Sequence, residues 1–225
     1  MRAVRRKNAL LLGGAVLLGS GAMLLVDGVW QPGYWVKSAV KICLFILLPV
    51  LCSKLCKGIS LRSLFRFQQR ETAVALALGA GVYALILGGY FLLRGVIDFS
   101  PVLDNLPQGV TRATFPLVAL YISLVNSLLE EFFFRGFAFL ALREQAAERT
   151  AALFSALAFA LYHTAMMLGW FPLPVFLLAL AGLTVGGLLF NWLDRRHDSI
   201  CTSWLTHMFA NFAINTVGFL LFAGG

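Results

Sequence analysis

Seven apolar segments dominate this sequence, at roughly 9–26, 39–53, 72–93, 113–134, 151–169, 172–192 and 201–222. A helix needs about 20 mainly apolar residues to cross the hydrocarbon core of a bilayer, and all but the second segment come near that length. In lipid no water is available to the backbone, so every N–H and C=O must be satisfied within the segment, and each segment must be a helix. The expectation is an all-α, polytopic transmembrane helix bundle of about seven spans. An eighth span or a re-entrant segment is the alternative, and either would change the side of the C-terminus. No internal repeat, low-complexity tract or linker interrupts the pattern, so residues 1–225 read as a single integral membrane domain.

Composition agrees with a bilayer solvent. Of 225 residues, 60% are hydrophobic and 12% charged, against about 45–50% and about 25% in soluble domains. The net charge of +8 does not point to nucleic acid, because the basic residues separate apolar runs and do not alternate with aromatic residues as a base-stacking surface would. They read as topology signals. With the N-terminus in the cytoplasm, 14 of the 18 Lys and Arg residues fall in inner segments, and Lys37, Lys41, Arg94 and Arg112 in outer ones. The positive-inside rule prefers that orientation. The compact layout suggests a prokaryotic cytoplasmic membrane.

Smaller features fill in the outline. MRAVRRK followed by an apolar run looks like a signal peptide, but no small-residue cleavage site follows, so it is expected to stay as the first helix. The four cysteines, Cys43, Cys52, Cys56 and Cys201, read as small membrane hydrophobes and not as a disulfide or zinc framework. Gly58 to Arg70 mixes apolar and basic residues and could lie in the inner interface as an amphipathic helix. The fourth segment either continues to Leu142 or kinks near Gly136.

Ionisable groups inside spans are costly and mark functional candidates. The sequence places Glu130 and Glu131 in the fourth span, His163 in the fifth and His207 in the seventh, with Asn126 and Asn211 as amides in the same helices. The third histidine, His197, falls in the loop DRRHDS and reads as solvated. Glu131 and Arg135 are four apart and share a helix face, as do His207 and Asn211. Glu130 points about 100° away from Glu131. Phe159 stands one turn before His163.

These residue types suit peptide hydrolysis, which needs an activated water, a general acid for the leaving amine and a stabilised oxyanion. A desolvated Glu suits the base, a neutral His can orient water, and an Asn amide can donate to an oxyanion. No Ser-His-Asp or Cys-His arrangement competes, and no H-E-x-x-H motif is present. Taken singly, each feature has a plainer reading. A buried Glu–Arg pair can be structural, a membrane His or Asn can join helices, and Phe132, Phe133 and Phe134 can be bulk. Their joint occurrence on three helices favours function.

Glu130-Glu131-x-x-x-Arg135, Phe159-x-x-x-His163 and His207-x-x-x-Asn211, in that order, resemble the CPBP family of CAAX proteases and bacteriocin-processing enzymes, also called the Abi family. The resemblance covers about 115–222. It implies a glutamate-type intramembrane endopeptidase. Glu130 would activate water with His163, His207 and Asn211 would form the oxyanion site, and Glu131, Arg135 and Phe159 would support them. The implied partners are membrane lipid and a protein or peptide substrate, prenylated or with a C-terminal sorting tail. No cofactor is expected, although two His and a Glu are a donor set zinc can use. A zinc-dependent version of the protease, a non-catalytic immunity or scaffold protein, and a proton-coupled transporter are the alternatives. The transporter would call for a repeat, and none is found.

Overall fold

The computed structural model describes residues 2–56 and 61–224. Among them are seven helices long and apolar enough to cross a membrane: α1 (Arg2–Trp30), α2 (Tyr34–Leu55), α3 (Gln69–Leu93), α4 (Phe115–Ala141), α5 (Glu148–Met167), α6 (Leu173–Asp194) and α7 (Cys201–Gly224). No strand occurs among the described residues. The all-helical bundle and its seven spans are as the apolar segments predict. The N-terminal run is helical from Arg2 onward, basic residues included.

The helices are not equivalent. Half of the most apolar window of α4 is buried, against 6% for α3 and 11% for α6, so α4 is the axis and the other two face outward. Around α4 stand α1, α2, α5, α6 and α7, while α3 packs mainly against α7 and α6 against α5. Lipid tails are as apolar as Leu, so helices in a membrane associate through close packing and hydrogen bonds and not through a hydrophobic drive. Small residues accordingly mark the contacts. A Cβ on Gly79 of α3 would lie 2.6 Å from Cδ2 of Phe209 on α7, and one on Gly187 of α6 would lie 3.0 Å from Cα of Ala156 on α5. Where α1, α2, α4 and α5 meet, Phe45, Phe133 and Phe134 form a buried aromatic core, with Phe45 and Phe133 stacked at 4.0 Å between centroids.

The middle of α4 leaves the α-helical ladder twice. Ile122–Asn126 and Glu131–Ala141 are wound as π-helix, with Ser127–Glu130 between them. Such widened turns leave carbonyls off the regular ladder and concentrate at functional sites. Polar side chains of α7 meet those carbonyls: Asn215 donates to Ala119 O, Asn211 to Ile122 O and the Trp204 indole to Leu124 O. The fourth segment therefore continues as a π-helix through Gly136. Gly136 is where the chain before α3 crosses α4, and a Cβ there would lie 2.7 Å from Cδ1 of Leu64.

The expected amphipathic interface helix lies partly outside the described residues, at 58–60. From Leu61 onward the segment forms only a 3-10 turn at Arg62–Leu64. It is pinned by backbone pairing instead: Ile200 N–H donates to Leu64 O, and Ser199 bridges N and O of Arg66. All four cysteines are free thiols.

Two readings of charge are corrected. Lys37 and Lys41 are not outer-loop charges: both lie within α2 and are held in ion pairs, Lys37 with Asp27 at 2.5 Å and Lys41 with Glu130 at 2.5 Å. Arg135, counted on the inner side, is fully buried in α4. With those three removed, the imbalance of basic residues between the two faces becomes stronger. His197 is not simply solvated either, since its Nε2 lies 3.1 Å from Glu71 at the start of α3.

Candidate active site

Glu130, Glu131, His163 and His207 come together between α4, α5 and α7, all buried or nearly so. Glu130 ends the short α-helical stretch of α4 and Glu131 opens the long π-helical one, so the two carboxylates diverge into different neighbourhoods. His163 sits where the ladder of α5 breaks, after Tyr162 and before Thr164.

The hydrogen-bond partners fix the protons of the imidazoles. Nδ1 of His163 lies 2.7 Å from Phe159 O, and a carbonyl can only accept, so Nδ1 carries hydrogen. Nδ1 of His207 lies 2.7 Å from Oε1 of Glu131, whose Oε2 faces Nε of Arg135 at 3.3 Å, so this Nδ1 also donates. Both rings therefore turn Nε2 toward one atom. His163 Nε2 is 3.9 Å and His207 Nε2 is 3.7 Å from Oε2 of Glu130. Those gaps exceed a direct hydrogen bond and suit a bridging water.

The other oxygen of Glu130 is taken. Oε1 accepts from Nζ of Lys41 at 2.5 Å and from Nδ2 of Asn126 at 3.0 Å, and Lys41 also donates to Oδ1 of Asn126. The Lys41 ammonium lies 4.9 Å from the Tyr162 ring and 5.5 Å from Phe45. These are cation–π distances.

Support comes from a second layer. The Arg135 guanidinium lies 4.0 Å from the Phe159 ring and 5.1 Å from Phe190. Its hydrogens have no hydrogen-bond partner among the described residues, so it is held by Glu131 and by aromatic faces. Phe159 supports the site through its carbonyl, which orients His163, its ring, which lies 4.6 Å from that of His163 and 5.9 Å from that of His207, and its face, which covers Arg135. At the C-terminal end of α6, Asp194 accepts from N and Oγ of Ser203, fastening the first turn of α7. Asn211 stands one turn past His207, with one amide hydrogen committed to Ile122 O.

Reading the sequence missed Lys41, Asn126 as a direct partner of Glu130, and Asp194. The signal for Lys41 was available, because it lies inside the apolar run 39–53 and obeys the same rule on intramembrane charge that singled out Glu130. It was assigned to topology instead. Asp194 fell two residues beyond its segment, where nothing distinguishes a buried helix end from a loop.

Zinc has suitable donor atoms here in Glu130 Oε2 and the two Nε2. The surroundings do not fit it. An ammonium already sits on Glu130, so a divalent cation would meet Lys41 at close range in a low-dielectric interior, where like charges repel strongly.

Comparison with known proteins gives one family. Residues 112–213 match the model of the Rce1-like family, described as type II CAAX prenyl endopeptidase. No curated protein and no solved structure matches. The matched stretch runs from the start of α4 into α7 and holds Glu130, Glu131, Arg135, Phe159, His163, His207 and Asn211, whereas Lys41 lies outside it. Over residues 112–213, a little under half of its length, this integral membrane chain is therefore similar to the Rce1-like family of CAAX-type proteases.

Proposed function

We propose that the protein is an intramembrane endopeptidase that hydrolyses a peptide bond of a membrane-associated substrate with water activated by Glu130. One observation carries the reading. Two imidazole Nε2 atoms face a single carboxylate oxygen of Glu130 at 3.7 and 3.9 Å, longer than direct hydrogen bonds. A structural ion pair with Lys41 has no need of that arrangement.

In this mechanism Oε2 of Glu130 takes a proton as the water oxygen attacks the scissile carbonyl carbon, and His163 orients the water. The carbonyl oxygen becomes an oxyanion. The free amide hydrogen of Asn211 donates to it, and so does His207 once Nε2 has taken a proton from solvent. Glu131 faces the resulting imidazolium across 2.7 Å, much as an acid orients the histidine of a triad. Glu130 then passes its proton to the leaving nitrogen, the C–N bond breaks, and a carboxylic acid and an amine remain, between which a proton then passes to give carboxylate and ammonium. No metal enters this account, since the charge of Glu130 is already matched by Lys41.

The family's description makes a prenylated C-terminal peptide the first substrate to try. The test uses full-length protein in phospholipid vesicles and a fluorescence-quenched farnesylated CAAX peptide, with the unprenylated peptide alongside. Wild type should cleave, and Glu130→Ala and His207→Ala should insert and fold but lose cleavage. Wild-type rates in both variants would end the proposal. The charge imbalance supports a cytoplasmic N-terminus.

A further inference from the structure

Lys41 should not be in a membrane helix without a reason. Its side chain is 4% exposed, and an ammonium in the hydrocarbon region is expensive unless paired. One turn earlier on the same face, Lys37 has its own partner in Asp27. Lys41 is thus left to Glu130 and to the amide of Asn126, which itself bonds the same carboxylate oxygen. The two oxygens of Glu130 are thereby made different. Oε1 is saturated by two donors, and only Oε2 faces the imidazoles.

We infer that Lys41 is a positioning residue for proteolysis: it anchors Oε1 of Glu130 so that Oε2 alone is presented, in a fixed rotamer, to the water between His163 and His207. The inference rests on the protease reading. Lys41 belongs to α2, so the catalytic apparatus extends beyond the family-matched stretch. It acts through Glu130 and touches no substrate. Removing it frees the carboxylate to rotate, which lowers turnover and leaves substrate binding alone. A loss made only in the transition state lowers kcat and kcat/KM equally.

The experiment measures kcat, KM and melting temperature for wild type, Lys41→Met, Lys41→Arg and Glu130→Gln on the quenched farnesylated CAAX peptide in vesicles. Lys41→Met should lower kcat roughly a hundredfold, the scale of a displaced catalytic group, with KM within about twofold. Lys41→Arg keeps the cation but moves its donors, and should recover part of that loss at unchanged KM. If Lys41→Met does not fold, Lys41→Arg decides, because it retains the charge balance: reduced kcat at normal KM supports the inference. Wild-type kcat in folded Lys41→Met, or in Lys41→Arg where the Met variant does not fold, overturns it. So does a change confined to melting temperature. Lys41 variants at wild-type rate beside a dead Glu130→Gln would remove only the role of Lys41. An active Glu130→Gln, or an inactive wild type, would remove the protease reading beneath it.

Discussion

The imidazole of His207 donates Nδ1–H to Oε1 of Glu131 across 2.7 Å, which leaves its other nitrogen for Glu130. Each carboxylate of the adjacent pair thus meets a different nitrogen of one ring. Glu131→Gln should therefore lower kcat by roughly 10²-fold or more, as loss of an orienting carboxylate does in a triad. It also leaves Arg135 buried without its counter-charge, at a cost of about 3–5 kcal/mol. Peptide cleavage rates and thermal unfolding of the purified variant check both effects.

The helix that carries His207 packs against α3. Phe209 lies between His207 and Asn211 in sequence and sits on Gly79, where a Cβ would approach its Cδ2 to 2.6 Å and its Cβ to 3.1 Å. Gly79→Ala should destabilise the bundle by about 1–3 kcal/mol through overpacking and reduce turnover. Gly81→Ala, in open space on the same helix, should change neither. Melting temperatures and cleavage rates of the two variants make the comparison.

Metal dependence follows from Lys41. With an ammonium on Glu130, proteolysis should survive prolonged treatment with EDTA or 1,10-phenanthroline, and elemental analysis of active protein should find zinc far below one per chain. Stoichiometric zinc needed for turnover would contradict the charge argument.

Orientation can be read by labelling. In a variant with its four native cysteines replaced, a single cysteine at Glu144, between α4 and α5, should react with an impermeant maleimide only in opened cells. A cysteine at Asp104, between α3 and α4, should react in intact ones. The reverse pattern would invert the assigned topology.

Much of this was legible in the sequence, for identifiable reasons. Apolar length alone sets the spans, because a lipid solvent leaves the backbone so few options. Glu130, Glu131, His163 and His207 stood out because charge and imidazole are rare in such helices. Lys41 was misread because a basic residue near a span end serves topology and catalysis equally well until its partner is known. The π-helical winding of α4 was not legible, and around its first stretch the side chains that meet the carbonyls, Asn211, Asn215 and Trp204, come from across the interface. The turn at 61–70 likewise owes its shape to Ser199 and Ile200, far off in sequence.

The central claim is that Oε2 of Glu130 activates the water, and the near-isosteric Glu130→Gln tests it most directly, since it keeps the size and one oxygen to accept from Lys41 and Asn126 while removing the base. In vesicles, with quenched farnesylated CAAX peptide and mass spectrometry of the products, the account predicts that wild type releases a C-terminal fragment. Glu130→Gln, inserted and folded, should be slower by roughly 10²–10⁴-fold, the range for a lost general base. Cleavage by Glu130→Gln at a rate near that of wild type would contradict it.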